Sequence, residues 1–487
     1  MIDNRNDIDY HLQLQANVTT IRSNRINYHL YLVDLMKNIL IPLATFSLLS
    51  VSHYSIANTD VELKAAIEKQ QQQLQAIEKQ LIELKAEKAF TEKALAPKVL
   101  NVNDKNWQIK SYGNILYKSA PVFKNTQDTD PDQRAITDLE RVVIEFAYEF
   151  DSKWQVELEI EYEHGGTGVT LEYDGFDEFG EFETEIEAGG EVIVEKLEVK
   201  YQYNDNISVK MGHITVPVGI GTDLHKPSQY FTTERHWSEA TLIPQVWHET
   251  GVNVSASWNK FTAQTLISTG LNSEYFRTHH WVATGHQTRF EQVNSDDLAL
   301  TFRLDYGNIK SGSSVGVSFY NGNTSGNRNK TNKISGDGNL TLIGLHGVWE
   351  QDNWLARGQY LFGQLDDSEA ITKANKTTAG LRPGVFAQLG SEAESAFLEV
   401  AYDTKSFFGL TTPLYLFTAY EYANPIKKIE EGKPTSRFDT QEISFGINYF
   451  PTKNLVFKGQ VSQQHYAQDN LDETQSFSLS MGYYFSI

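Results

Sequence analysis

From Phe477 onward every second residue is apolar: Phe477, Leu479, Met481, Tyr483, Phe485 and Ile487. Between them stand Ser478, Ser480, Gly482, Tyr484 and Ser486. A period of two is the signature of a strand, because successive side chains point to opposite faces. One wholly apolar face opposite a small and polar one suits a strand with lipid on one side and water on the other, as in a transmembrane β-barrel. The half-buried edge of a soluble sheet shows the same alternation. The rest of the chain therefore has to decide between them.

Composition narrows the choice. The 487 residues are only 40% hydrophobic, with a mean hydropathy of −0.43. Polar lumens and loops dilute the membrane band of a barrel in this way. The one unbroken apolar run, 39–51, is shorter than the roughly 20 residues a membrane-spanning helix needs. With no cysteine the chain has no disulfide and no thiolate metal ligand, which suits passage through an oxidising compartment. A net charge of −21 argues against a nucleic-acid partner.

The apolar run reads as a targeting signal over 36–57, with Met36 and Lys37 before it and Ser55, Ile56 and Ala57 as a small-x-small cleavage site. Residues 1–35 then read as an upstream extension, with a true cytosolic extension as the alternative. Across 58–95 the pattern becomes heptad, with Ile67, Leu74 and Leu81 at one core position and Leu63, Gln70, Ile77 and Leu84 at the other. This predicts a short periplasmic coiled-coil helix. A single helix with so narrow an apolar stripe buries little, so self-association is favoured over a lone amphipathic helix. A proline-containing linker, 96–105, follows.

From there the period of two runs to the end of the chain. Sixteen segments carry it, near 106–117, 138–150, 153–164, 191–203, 205–215, 249–259, 260–270, 296–306, 312–321, 339–350, 352–363, 393–404, 413–423, 438–450, 454–465 and 474–487. Tight turns at 151–152, 204, 259–260, 351 and 451–453 alternate with long polar loops. Short turns at one end and long loops at the other is the asymmetry of bacterial outer-membrane barrels. The expected fold is all-β: a 16-stranded antiparallel transmembrane β-barrel over 106–487, preceded by the coiled-coil helix. Sixteen strands enclose room for an aqueous channel, whereas eight would be filled by side chains.

The third long loop, 216–248, combines Pro217, Pro227 and Pro244 with Gly219 and Gly221. A stiff loop of this kind can fold inward and narrow a pore. With the residue after it, it supplies Asp223, His225, Lys226, Arg235, His236, Glu239, His248 and Glu249 as candidate constriction groups. The stretch from Met211 to Val252, MGHITVPVGIGTDLHKPSQYFTTERHWSEATLIPQVWHETGV, resembles the pore-loop region of bacterial porins of the phosphate-selective porin O and P type. That resemblance implies an outer-membrane porin assembled as a trimer, with a short amino-terminal coiled coil. It does not settle the solute.

Phosphate selectivity requires a ladder of Lys and Arg along the pore. Between Asp138 and Glu187 there are instead 17 acidic residues and two basic ones, Arg141 and Lys153. Glu157, Glu159, Glu161 and Glu163 alternate with an apolar face and are expected to line the lumen, concentrating cations. Basic pore-wall candidates are Arg141, Lys196, Lys200, Lys210, Arg303 and Arg357. The acidic second loop matches no calcium-binding motif and reads as a solvated charge run. His279, His280 and Trp281 lack a third ligand at metal spacing and read as a loop or interface position. No metal, cofactor or catalytic residue is expected.

The leading expectation is passive diffusion of small hydrophilic solutes or ions, leaning to cations. The expected setting is the outer membrane, with lipid, lipopolysaccharide and further copies of the chain as partners. Selective porins for phosphate-like anions, siderophores or peptides are alternatives, as is a structural or adhesive envelope role. An energised transporter would need a plug and about 22 strands.

Overall fold

In a computed structural model, the structure describes residues 106–125, 127–166, 169–172, 185–188, 191–286, 293–377 and 388–487. The expected signal, coiled coil and linker lie outside them. Strands β1 (Trp107–Val122), β2 (Asp132–Glu149) and β3 (Trp154–Glu163) come first. A small hairpin follows, β4 (Val169–Glu172) with β5 (Glu185–Ala188). The chain continues through β6 (Glu191–Gln202), β7 (Ile207–Thr215), β8 (His248–Trp258), β9 (Phe261–Thr269), β10 (Leu298–Gly307) and β11 (Ser314–Gly322). It ends with β12 (Leu340–Gln351), β13 (Trp354–Leu365), β14 (Glu392–Asp403), β15 (Leu414–Lys428), β16 (Thr440–Thr452), β17 (Leu455–Tyr466) and β18 (Thr474–Ser486).

All but β4 and β5 form one closed antiparallel barrel, each strand bonded to its neighbours in chain order. Closure comes from β1 against β18, in register from Lys110 opposite Ser486 to Ser119 opposite Phe477. The final strand is thus the seam that removes both sheet edges. The sixteen expected strands match the sixteen in the barrel. The β4–β5 hairpin in the second long loop was not expected, because its acidic sequence carries no clean alternation. Strands β1, β2 and β15 also run further than their apolar faces, since backbone pairing continues where the side chains become polar.

Sidedness follows the alternation. On β10, Leu298, Leu300 and Phe302 are 59%, 46% and 42% exposed, whereas Ala299, Thr301 and Arg303 between them are at most 2% exposed. An outer wall of exposed apolar side chains around a polar interior inverts the arrangement of a soluble protein. Tight turns at Asn259–Lys260 and Asp352–Asn353 hold Asn259 and Asp352 at φ of 52° and 55°, the left-handed geometry that matches strand twist. Beside these turns the outward aromatics pair: Trp107 with Tyr148, Trp154 with Tyr201, Phe261 with Tyr306, and Trp354 with Tyr402, centroids 4.5 to 5.0 Å apart. They mark a belt at the end where β1 begins and β18 finishes. Among the described residues no helix is long and apolar enough to cross a membrane.

The largest buried apolar cluster lies at the opposite end, where Ile214, Val216, Leu242, Ile243 and Trp247 pack with Leu271, Phe276 and Trp281. Trp281 is wholly buried and donates its indole N–H to the Gly390 carbonyl at 2.7 Å. The His-His-Trp segment is therefore an anchor between long loops.

Candidate site in the barrel interior

The third long loop, 216–247, leaves β7 and returns to β8 beside it, and the Val216 amide donates to the Trp247 carbonyl at 2.8 Å. Gly219 adopts φ of 74° where a Cβ would lie 2.6 Å from Gln359 Oε1, so only glycine allows this approach to β13. A short helix, α1 (Trp237–Ala240), sits near its far end.

Inward side chains hold the loop by its backbone. The Phe231 amide donates to Glu399 at 2.9 Å, the Thr233 amide to Gln460 at 2.9 Å, the Ser238 amide to Glu421 at 3.0 Å and the Ile220 amide to Gln359 at 2.5 Å. Lys458 Nζ donates to the carbonyls of Tyr230 and Thr232 at 2.9 and 2.8 Å. Arg141 donates to the His225 carbonyl, Arg303 to that of Gly219 and Arg357 to that of Gln229. These partners sit on β2, β10, β13, β14, β15 and β17. Prolines limit the loop's alternatives, and each anchor satisfies a backbone group that would otherwise be buried unpaired.

The loop candidates divide by role. Asp223 bridges Arg303 at 2.9 Å and Lys310 at 3.3 Å, and these cations outweigh its burial to hold the carboxyl well below the usual range. Lys226 reaches Glu145 at 2.6 Å. His225 is kept neutral chiefly by burial. His236 stacks on Phe397 and lies 3.3 Å from Glu421 and 3.6 Å from Glu399. Burial opposes its protonation, but the two carboxylates prevail and raise its pKa to about 10. Glu239, pushed up by burial, accepts from Gln359 Nε2 at 2.7 Å. Arg235 is half-buried and lines a small cavity with His236 and Glu239.

Glu249 lies on β8 as expected, and His248, expected at the end of the loop, is the first residue of the same strand. His248 lies 3.7 Å from Glu195, and Glu249 accepts from the Trp247 indole at 3.1 Å and from the Thr269 hydroxyl at 2.6 Å. They brace the loop's root.

On the wall, the row from Glu157 to Glu163 faces inward, with the apolar residues between them outward. Lys196 contacts Glu157 at 2.7 Å and Glu159 at 2.8 Å, and Arg141 approaches Glu161 at 3.7 Å. Glu163 is half-buried opposite Arg141 in the β2–β3 register. Lys210 pairs with Glu198 at 2.7 Å and stands in register with Lys200. Arg303 also pairs with Asp305, and Arg357 with Glu399. The Glu row is therefore threaded with cations.

Sequence reasoning missed Lys110, Glu145, Glu399, Glu421, Gln359 and Gln460. Their signal was parity: each falls on the face opposite its strand's apolar row, as Glu399 does between Leu398 and Val400.

No family model matches this chain. An Aquifex aeolicus protein described as "Uncharacterized protein" is 28% identical over 381 residues, covering 76% of this chain and 78% of that one. Among solved structures, the outer membrane channel DcaP of Acinetobacter baumannii has a TM-score of 0.47 at 10% identity, covering 78% of this chain and 97% of that one. Salmonella typhi OmpF in complex with daunomycin has a TM-score of 0.48 at 12% identity, covering 77% and 97%. Pseudomonas putida OprB at high pH has 0.47 at 12%, covering 80% and 96%. Likenesses of this size transfer no function to this chain.

Proposed function

We propose that the protein is an outer-membrane porin through which small hydrophilic solutes diffuse passively. The third long loop narrows the water-filled passage, and the acidic wall gives it a lean toward cations. The observation that carries this reading is a loop fastened to inward side chains on strands far around the barrel while the outer wall stays apolar. Lipid then covers the outside, including lipopolysaccharide near the long loops, and the short turns face the periplasm. A cleaved signal peptide, a periplasmic coiled coil and a homotrimer complete the proposal. A phosphate-like substrate is disfavoured, since Arg141, Lys196, Lys210, Lys226, Arg303 and Arg357 each lie within 4 Å of a carboxylate.

The test is single-channel recording of the purified protein in planar bilayers, with the reversal potential read in a salt gradient. Stepwise conductance with a cation-side potential is expected. An anion-side potential would overturn the charge argument, and no conductance at all would overturn the porin.

A further inference from the structure

We infer that the passage carries a subsite for an uncharged polyhydroxylated solute of about monosaccharide size, on the short-turn side of the third loop. This rests on the porin reading and deepens it. A cavity of about 230 Å3 lies where Asp223, at the loop's edge, faces the inner surfaces of β8, β9 and β10 and the two turns beside them. One side is charged but internally balanced. Arg303 is held by Asp223 at 2.9 Å and Asp305 at 2.8 Å, His346 takes the other Asp305 oxygen at 2.7 Å, and Lys310 closes on Asp223 at 3.3 Å. The other side is neutral. Ser257 and Thr262 hydroxyls bond across the β8–β9 pair at 3.2 Å, and Gln264 accepts from Asn253. Lys260 lies at the rim, in the exposed turn.

A bare anion entering here would meet only Lys260 at the exposed rim, and a cation only carboxylates already paired, so either would have to break the buried Arg303 network to gain a close counter-charge, which is costly. A polyol loses only hydroxyl hydration. The Ser, Thr and Gln side chains and the outer lone pairs of the carboxylates offer hydrogen bonds in place of that hydration.

Swelling of proteoliposomes in isosmotic sorbitol, gluconate and glucosamine tests the proposal, since the three share a six-carbon frame and differ in charge. Sorbitol is expected to enter at least about fivefold faster than either ion. Gln264→Leu and Thr262→Val should each cut that advantage by about fivefold, the worth of one neutral hydrogen bond. Equal entry of gluconate or glucosamine in the wild type would overturn the subsite, whatever the variants do. An unchanged ratio in both variants would place sorbitol's path elsewhere and overturn it too. Salt conductance that persists in either case leaves the porin standing, whereas no swelling and no conductance would remove both.

Discussion

Glu399 and Glu159 are both buried carboxylates on inward faces, yet they do different work. Glu399, on β14, accepts a backbone amide from the third loop, pairs with Arg357 at 2.7 Å and lies near His236. Glu159, on β3, takes the Tyr112 hydroxyl at 2.9 Å and Lys196 at 2.8 Å, with no loop backbone in reach of those bonds. Around β13–β17 the wall's charges are spent on fixing the loop. Around β1–β3, β6 and β7 they are mostly spent on one another. The same residue type at the same parity is a fastening on one side and an electrostatic lining on the other.

The sharpest way to break that contrast is to remove a fastening. Glu399→Ala strips the partner from a buried arginine and from the Phe231 amide. We expect destabilisation of about 3–5 kcal/mol, the usual cost of orphaning a buried charge, read by denaturant unfolding in detergent. Single-channel conductance should rise as the loop loosens. A variant with wild-type conductance and stability would show that the loop is not held from β14.

Neutralising the lining should reverse selectivity, and it should also cost stability because Arg141 and Lys196 are buried and lose their partners. With Glu157, Glu159, Glu161 and Glu163 all changed to Gln, the Lys196 and Arg141 charges stand uncompensated beside the passage. The reversal potential should move to the anion side, with a severalfold fall in the cation-to-anion permeability ratio. If only conductance changed, those side chains would lie outside the ion path.

How much of this was legible in the sequence follows from which forces are local. The strands could be read because alternation is a property of adjacent residues, and Leu298 to Arg303 announce their faces without help from the fold. The final strand's apolar row announced its faces but not its partner, and the pairing with β1 comes from the structure. The site could not be read the same way, because Phe231, Thr233 and Ser238 find their partners at Glu399, Gln460 and Glu421, far along the chain. Asp223 and Arg303 were both named as candidates, but nothing local joins position 223 to position 303. His248 was assigned to the loop because the strand begins earlier than the apolar alternation that marks it.

His236 offers a smaller, reversible perturbation. Its proton is held more tightly in the folded protein, with a pKa of about 10, than in the unfolded chain, where imidazole titrates near about 6.5. The stabilisation it gives the loop is therefore fully present below about pH 6.5 and is lost as pH rises through about 10. Conductance fluctuations should grow across that upper range in the wild type. In His236→Gln they should already be present at neutral pH and show no such rise. Fluctuations that ignore pH in both proteins would mean that neither Glu399 nor Glu421 draws on the imidazolium.

The smallest effect is expected at Lys200. It stands in register with Lys210, whose charge Glu198 meets at 2.7 Å, while Lys200 itself makes no ion pair among the described residues. It is the least compensated of the wall cations, so Lys200→Gln should raise the cation-to-anion ratio by no more than about twofold. Water and salt around a half-exposed ammonium screen most of its field, and the shift should shrink further between about 0.1 M and 1 M salt as the screening length falls from about 10 Å to 3 Å. A shift that is large and indifferent to salt would place Lys200 at the narrowest point of the passage. The lining of β6 and β7, not the loop fastened to β13–β17, would then set what passes.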